Sequence, residues 1–311
     1  MRQPVYLETH RRGELQKKID SAYDILNSCT LCPHHCLVNR HAGEVGLCRT
    51  GDRPVVSSYG PHFGEEDPLV GRRGSGTIFF THCNLYCIFC QNYEISHGGE
   101  GEEITIPDLA AIMVFLQQKG CHNINFVTPS HQVYQILAAL PQAIDGGLEV
   151  PLVYNTGGYD AVETLRLLDG VIDIYMPDFK FWDPAVAGQL TNAPDYPERA
   201  REALKEMHRQ VGDLVMDEDG IARRGLLVRH LVLPDNLAGT RECMEFLAKE
   251  ISPDTYVNVM AQYRPCGRAF EHPSLSRHPT GLELAAAEQA ARDAGLTRLD
   301  RREKLFRWLD L

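Results

Sequence analysis

Apolar positions change their spacing twice along this 311-residue chain. Over residues 14–27, Leu15, Ile19, Ala22, Tyr23 and Leu26 recur at helical spacing. A turn-rich stretch follows, with Gly51-Asp52, Tyr59-Gly60-Pro61 and Glu66-Asp67-Pro68 as breakers. From Gly76 onward six apolar, β-rich runs alternate with amphipathic stretches. The runs cover residues 77–81, 124–128, 152–155, 171–176, 226–233 and 256–262; helical patterns cover 106–119, 131–143, 161–168, 198–211 and 241–250. Such alternation predicts parallel β/α units. Six units without a seventh or eighth predict an α/β fold built on a partial (β/α)6 barrel of the TIM type. Chemistry in parallel barrels sits at the carboxyl ends of the strands. Helical spacing returns over 282–294. The tail mixes charge with Leu299, Leu305, Phe306 and Leu309, and is expected to pack on an edge of the barrel. The chain thus divides into an N-terminal unit, residues 1–70, a core, 71–296, and a tail, 297–311.

Composition narrows the function classes. With 43% apolar and 23% charged residues, the chain reads as an ordinary soluble globular protein. A formal net charge of -11 disfavours non-specific binding to nucleic acid or to an anionic membrane. The pairs Arg11-Arg12, Arg72-Arg73 and Arg223-Arg224 are isolated and read as solvated surface. The longest apolar run, residues 109–116, is far short of a membrane span. Residues 1–10 lack the apolar core of a secretory signal, so a cytoplasmic location is expected. In a reducing compartment, ten cysteines that cluster point to metal binding or catalysis rather than disulfides.

Two cysteine groups stand out. Cys83, Cys87 and Cys90 form C-x3-C-x2-C directly after the first core strand. Iron–sulfur clusters are held by thiolates, normally four. Three on one tight loop leave one iron open, as a catalytic centre requires. A zinc ion would want a fourth ligand. Cys29, Cys32, Cys36 and Cys48 form C-x2-C-x3-C-x11-C. Four thiolates close either a tetrahedral zinc or a cubane cluster, a structural or electron-transfer site. His34 and His35 lie within the run, and Gly43, Gly46 and Gly51 suit its tight turns. A compact loop of reduced thiols is the simpler alternative. Cys121 and Cys243 read as packed thiols, whereas Cys266 follows the last run, at a barrel mouth.

The loop from Cys83 to Asn92, with Phe89 before its third cysteine, resembles the cluster loop of the radical S-adenosylmethionine (SAM) superfamily. Within it, Leu31-Cys32-Pro33 and Arg229-His-Leu-Val-Leu-Pro234 are similar to the PflX-type branch of the pyruvate formate-lyase activating enzymes. The resemblance covers residues 29–296. It implies that Cys83, Cys87 and Cys90 hold a 4Fe–4S cluster whose open iron binds SAM. It adds Phe89, Asn155, Thr156, Asp178, Lys180 and Arg229 as cofactor-binding residues. Met176-Pro-Asp178-Phe-Lys180 looks like the family's Met-x-Asp-x-Lys, where the Asp helps bind a monovalent cation and the Lys contacts SAM. A lysine is a suitable point charge for a carboxylate.

The implied activity is one-electron cleavage of SAM to methionine and a 5′-deoxyadenosyl radical that abstracts hydrogen, from a protein glycine or a small metabolite. Its implied partners are a reduced flavodoxin- or ferredoxin-type electron donor and a protein substrate. Three departures stand out. The second strand ends Phe126-Val-Thr-Pro-Ser-His131, without the family's Gly-Gly-Glu, leaving Thr128, Ser130 or backbone carbonyls for the SAM amino group. Asn155 replaces an acid, and no histidine stands near Gln262-Tyr263. The rival reading is an iron–sulfur electron carrier, or a metal-stabilised binding protein, without SAM turnover. The second cysteine group then holds a second 4Fe–4S cluster or zinc in either case.

Overall fold

The computed structural model describes residues 3–300. Helices α1 (Val5–Arg11) and α2 (Glu14–Ile25) open the chain. They are tied to the barrel by the Tyr6 hydroxyl on the Val150 carbonyl and the Thr9 hydroxyl on the Gly170 carbonyl. The cysteine segment follows, then β1 (Val55–His62), α3 (Asp67–Val70) and β2 (Ser75–Phe80). Next come α4 (Tyr93–Ser96), β3 (Glu102–Glu103), α5 (Ile106–Gln118), β4 (Ile124–Val127), α6 (Val133–Asp145), β5 (Leu152–Thr156), α7 (Val162–Leu167) and β6 (Ile174–Pro177). The second half holds α8 (Pro184–Leu190), α9 (Tyr196–Val211), β7 (Val215–Met216), β8 (Ala222–Leu231), α10 (Thr240–Phe246), β9 (Tyr256–Met260) and α11 (Gly281–Asp293).

Strands β2, β4, β5, β6, β8 and β9 pair in parallel in that order, giving the six-stranded partial barrel. Each expected run contains one strand, with shifted ends. Residues 171–176 yield only Ile174–Pro177, because the buried Asp173 accepts from the amides of Val5 and Leu152 and interrupts the apolar run. Strand β8 starts earlier than expected, at Ala222, and takes in Arg223 and Arg224. That basic pair is half-buried rather than solvated: Arg223 pairs with Asp217, and Arg224 donates to the Gln210 carbonyl.

Strand β1 lies in the stretch read as turns. It runs antiparallel to β2, with β3 covering only Val55 and Val56 on its other side. Pro61 therefore sits where β1 is an open edge, the one place in a sheet that tolerates a missing N–H. The segment that ends as α3 closes the barrel floor. Leu69 is fully buried among Val153, Ile174, Met176 and Leu227, the inward side chains of β5, β6 and β8. The opposite faces of the strands, such as Phe80, Phe126 and Tyr154, pack against Leu109, Met113, Ile136 and their neighbours in the helical layer.

Of the tail, Leu299 bridges to Val257 on β9. Residues 301–311, with Leu305, Phe306 and Leu309, lie outside the described residues. Among the described residues no helix is long and apolar enough to cross a membrane.

Two buried histidines stitch the layers. The His131 ring bonds the Thr81 carbonyl, and His230 bridges the Phe179 carbonyl and the Thr240 hydroxyl. Burial pushes their pKa values down to about 3 and about 4. In the unfolded chain both titrate near 6.5. Below that pH the unfolded chain binds protons that the folded one refuses. Stability should therefore fall as pH drops from 6.5 towards 4, with a slope approaching about 2.7 kcal/mol per pH unit for the pair. Chemical unfolding across that range should show it, and His230→Gln should remove about half of the slope. Leu69→Ala should cost about 2–5 kcal/mol in the same measurement, against a negligible effect at the exposed Leu282.

Candidate active site

The loop after β2 carries Cys83, Cys87 and Cys90 over the strand ends. His82 and Tyr86 take left-handed backbone angles, φ 68° and 52°, which turn it tightly. Neighbouring elements hold it by main-chain bonds. The Asn192 amide donates to the Leu85 carbonyl, Ile88 to Leu190, and Arg268 to the Ile88 carbonyl. The Asn84 side chain donates to the Tyr159 carbonyl at 2.8 Å. Phe89 is buried against Phe181 and Tyr263, with ring centroids 6.0 and 6.1 Å away.

The three thiols lie within electrostatic reach of one another. Burial pushes Cys83 up to about 11 and raises Cys87 as well. Two donors already face the sulfurs: the Leu85 amide to Cys83 Sγ at 3.4 Å and the Ser96 hydroxyl to Cys90 Sγ at 3.2 Å. Among the described residues no three His, Cys, Asp or Glu side chains gather closely enough to hold one metal ion. A cluster is larger than an ion and keeps its thiolates further apart.

Beneath the loop, Asn155, Asp178, Lys180 and Arg229 come together from the ends of β5, β6 and β8. Asp178 accepts from Arg229 Nε at 2.7 Å through one oxygen and from Lys180 Nζ at 2.5 Å through the other. Arg229 also donates to Asn155 Oδ1 at 2.7 Å. Burial alone would raise Asp178, but Arg229 and Lys180 outweigh it and hold the carboxyl low. Burial would likewise lower Lys180, but Asp178 and the sulfur of Cys87 outweigh it. Lys180 therefore belongs to the ion cluster by contact and acts on the thiols of Cys83 and Cys87 through its charge.

Thr156 does not join this group. Alternation along β5 turns it outward, where its hydroxyl donates to Asp160 at 2.6 Å beside Tyr154 and Ser130. Ser130 is thus occupied and buried, whereas Thr128 stays half-exposed at the mouth with φ 60°. That angle is strained for a β-branched residue. Two inward acids were not anticipated. Glu65 lies 3.5 Å from Arg229, and Glu66 accepts from Asn258 at 2.7 Å. Burial raises Glu66, against the pull of Arg229. Their only sequence signal, an acidic run before Pro68, is the ordinary signature of a solvated turn.

The four-cysteine segment packs beside the loop. His34 bonds the Asn84 carbonyl at 2.7 Å, and Arg40 bonds the His131 carbonyl at 2.8 Å. Cys121 and Cys243 are buried, and Cys266 is half-buried past β9. On the outer side of the loop, a cavity of about 400 Å³ is lined by Tyr86, Ile88, His97, Asn192, Arg268 and His272, among others.

A profile of the Radical SAM superfamily matches residues 77–217, which include the cysteine loop and the ends of β5 and β6. The chain is 33% identical over 294 residues to "Uncharacterized protein MJ0674" of Methanocaldococcus jannaschii, covering 92% of this chain and 80% of that one. Among solved structures, the radical S-adenosylmethionine methyltransferase TsrM from Kitasatospora setae, with cobalamin and a 4Fe–4S cluster bound, superposes with a TM-score of 0.41 at 14% identity. That match covers 60% of this chain and 36% of TsrM. Residues 77–217 thus carry a Radical SAM superfamily domain, and the chain as a whole is related to the Methanocaldococcus jannaschii protein.

Proposed function

We propose that Cys83, Cys87 and Cys90 hold the 4Fe–4S cluster and that Asn155, Asp178, Lys180 and Arg229 receive SAM beside it. The observation that carries this reading is the position of Lys180 at the end of β6, ion-paired to Asp178, with its positive charge felt by Cys83 and Cys87. When bound, the cluster and SAM supply one-electron cleavage of the S–C5′ bond and hydrogen abstraction by the resulting carbon radical.

The chain's own residues supply the rest. Lys180 presents a point charge to the SAM carboxylate. Asp178 fixes the directions of Lys180 and Arg229, so neither has to be ordered on binding. The amide of Leu85 and the hydroxyl of Ser96 bond to thiolate sulfur. Phe89 closes the inner side of the loop and keeps water out. Thr156 braces the end of β5 through Asp160 rather than touching the cofactor. With Ser130 occupied, Thr128 and the carbonyls around it are left to take the SAM amino group.

The finer reading is of the activating-enzyme type. It rests on the strand end Met176-Pro-Asp-Phe-Lys180, and gives hydrogen abstraction from a glycine of a partner protein, with a reduced flavodoxin- or ferredoxin-type protein as electron source. The four N-terminal cysteines hold a metal centre of their own, a second 4Fe–4S cluster or zinc.

Anaerobic reconstitution, reduction and incubation with SAM should yield 5′-deoxyadenosine, and Cys83→Ala should abolish it. Lys180→Met should weaken SAM binding by about 10- to 100-fold, as expected for loss of a charge-assisted bond. Undiminished product from Cys83→Ala, or no SAM binding by iron-loaded wild type, would overturn the reading.

A further inference from the structure

Building on the reading above, we infer that Cys29, Cys32, Cys36 and Cys48 hold a second 4Fe–4S cluster that passes an electron to the Cys83–Cys87–Cys90 centre across Tyr86, with Arg40 matching its negative charge.

The first support is the thiols themselves. Cys29, Cys32 and Cys48 are buried and Cys36 is half-exposed. The sulfurs of Cys29, Cys36 and Cys48 all lie within electrostatic reach of Cys32. The backbone is shaped around them: a Cβ on Gly46 would stand 2.7 Å from Cys36 Sγ. Four thiolates are the usual ligand set of a cubane cluster.

The second support is Arg40, only 2% exposed. Its guanidinium donates to Cys48 Sγ at 3.4 Å and to the His131 carbonyl at 2.8 Å, and its Nε has no partner. No carboxylate stands within ion-pair distance of it among the described residues. A buried cation is costly unless an anion answers it. The group that faces Arg40 is a cysteine sulfur, so the natural counter-charge is a thiolate-bound centre of net negative charge.

The third support is the path between the two groups. Tyr86 sits on the loop between Cys83 and Cys87 and lies within electrostatic reach of both Cys48 and Cys83. Its hydroxyl is buried without a hydrogen-bond partner, and the Arg49 guanidinium lies 5.9 Å from its ring centroid. His34 on the Asn84 carbonyl adds a direct bond, and Arg40, His131 and the Thr81 carbonyl form a second chain into the loop. A one-electron reductant of the flavodoxin or ferredoxin class reduces the N-terminal cluster from 2+ to 1+. That cluster returns to 2+ as the loop cluster goes from 2+ to 1+. No bond forms or breaks and no proton moves.

The test uses full-length protein reconstituted anaerobically with iron and sulfide. Wild type should hold about eight irons, and both Cys29→Ser/Cys32→Ser and Cys83→Ala/Cys87→Ala/Cys90→Ala about four. Reduced wild type should give an electron paramagnetic resonance spectrum split by spin–spin coupling, not the sum of the two variants' spectra. Arg40→Met should keep its iron but shift the N-terminal cluster's potential negative, and Arg40→Lys should restore it. Zinc or no metal in the triple variant, or additive spectra in wild type, would overturn the inference and leave the proposed function standing. Iron lost entirely from Cys29→Ser/Cys32→Ser but kept by the triple variant would instead sink the proposed function.

Discussion

The site depends on one buried arrangement of charge: Asp178 held between Lys180 and Arg229 at the strand ends. Isolated charges there would be prohibitively costly, and removing one partner from such a group leaves the others uncompensated. The three are placed by the sheet itself. Asp178 bridges in parallel to Arg229, the Phe179 amide donates to the Arg229 carbonyl, and Lys180 is two residues beyond Asp178. The register of β6 against β8 and the geometry of the ion cluster are therefore one constraint. A slip of β6 by one residue would turn Asp178 to the helical face, away from Arg229.

That constraint also accounts for the barrel floor. Glu65 and Glu66 enter from the segment that α3 closes, and both are buried. With Asp178 they make three acids against two bases, Lys180 and Arg229. An aspartate in place of Asn155 would add a fourth acid to the same enclosure. The neutral oxygen of Asn155 still accepts from Arg229 at 2.7 Å. The acid missing at the end of β5 is thus balanced from below, and Glu66, raised by burial, is the member best suited to carry a proton.

The parts of this protein that could be read from sequence were those encoded locally. The spacing of Cys83, Cys87 and Cys90 lies within eight residues, and the six strands announced themselves as apolar runs between helical stretches. Asn155, Asp178 and Arg229 were legible as strand-end residues, and they meet because neighbouring strand ends meet. What stayed hidden is encoded at a distance. Glu66 finds Asn258 across 192 residues, and Arg40 finds His131 across 91. Strand β1 carries Gly60 and Pro61, which read as a turn until β2 is seen beside only one of its edges. Arg223 and Arg224 looked solvated because nothing in the sequence shows that Asp217 and the Gln210 carbonyl stand beside them. Thr156 followed the resemblance, yet the two-residue period of a strand already turned it away from Asn155.

The cysteine loop is held by bonds from all sides. Its carbonyls at Leu85 and Ile88 are taken by Asn192 and Arg268, its Ile88 amide by Leu190, and Asn84 by Tyr159 on one side and His34 on the other. A loop so held loses little further entropy when a cluster binds, so binding energy is not consumed in folding it. Chemistry, rather than order, is what remains to be met. Burial raises Cys83 and Cys87, so both thiols are protonated at neutral pH in the bare protein, and ligation must release those protons. The positive charge of Lys180 lowers that cost at both sulfurs. The lysine assigned to the SAM carboxylate thereby favours the thiolate form on which the cluster depends, and so couples assembly of the cluster to the pocket beside it.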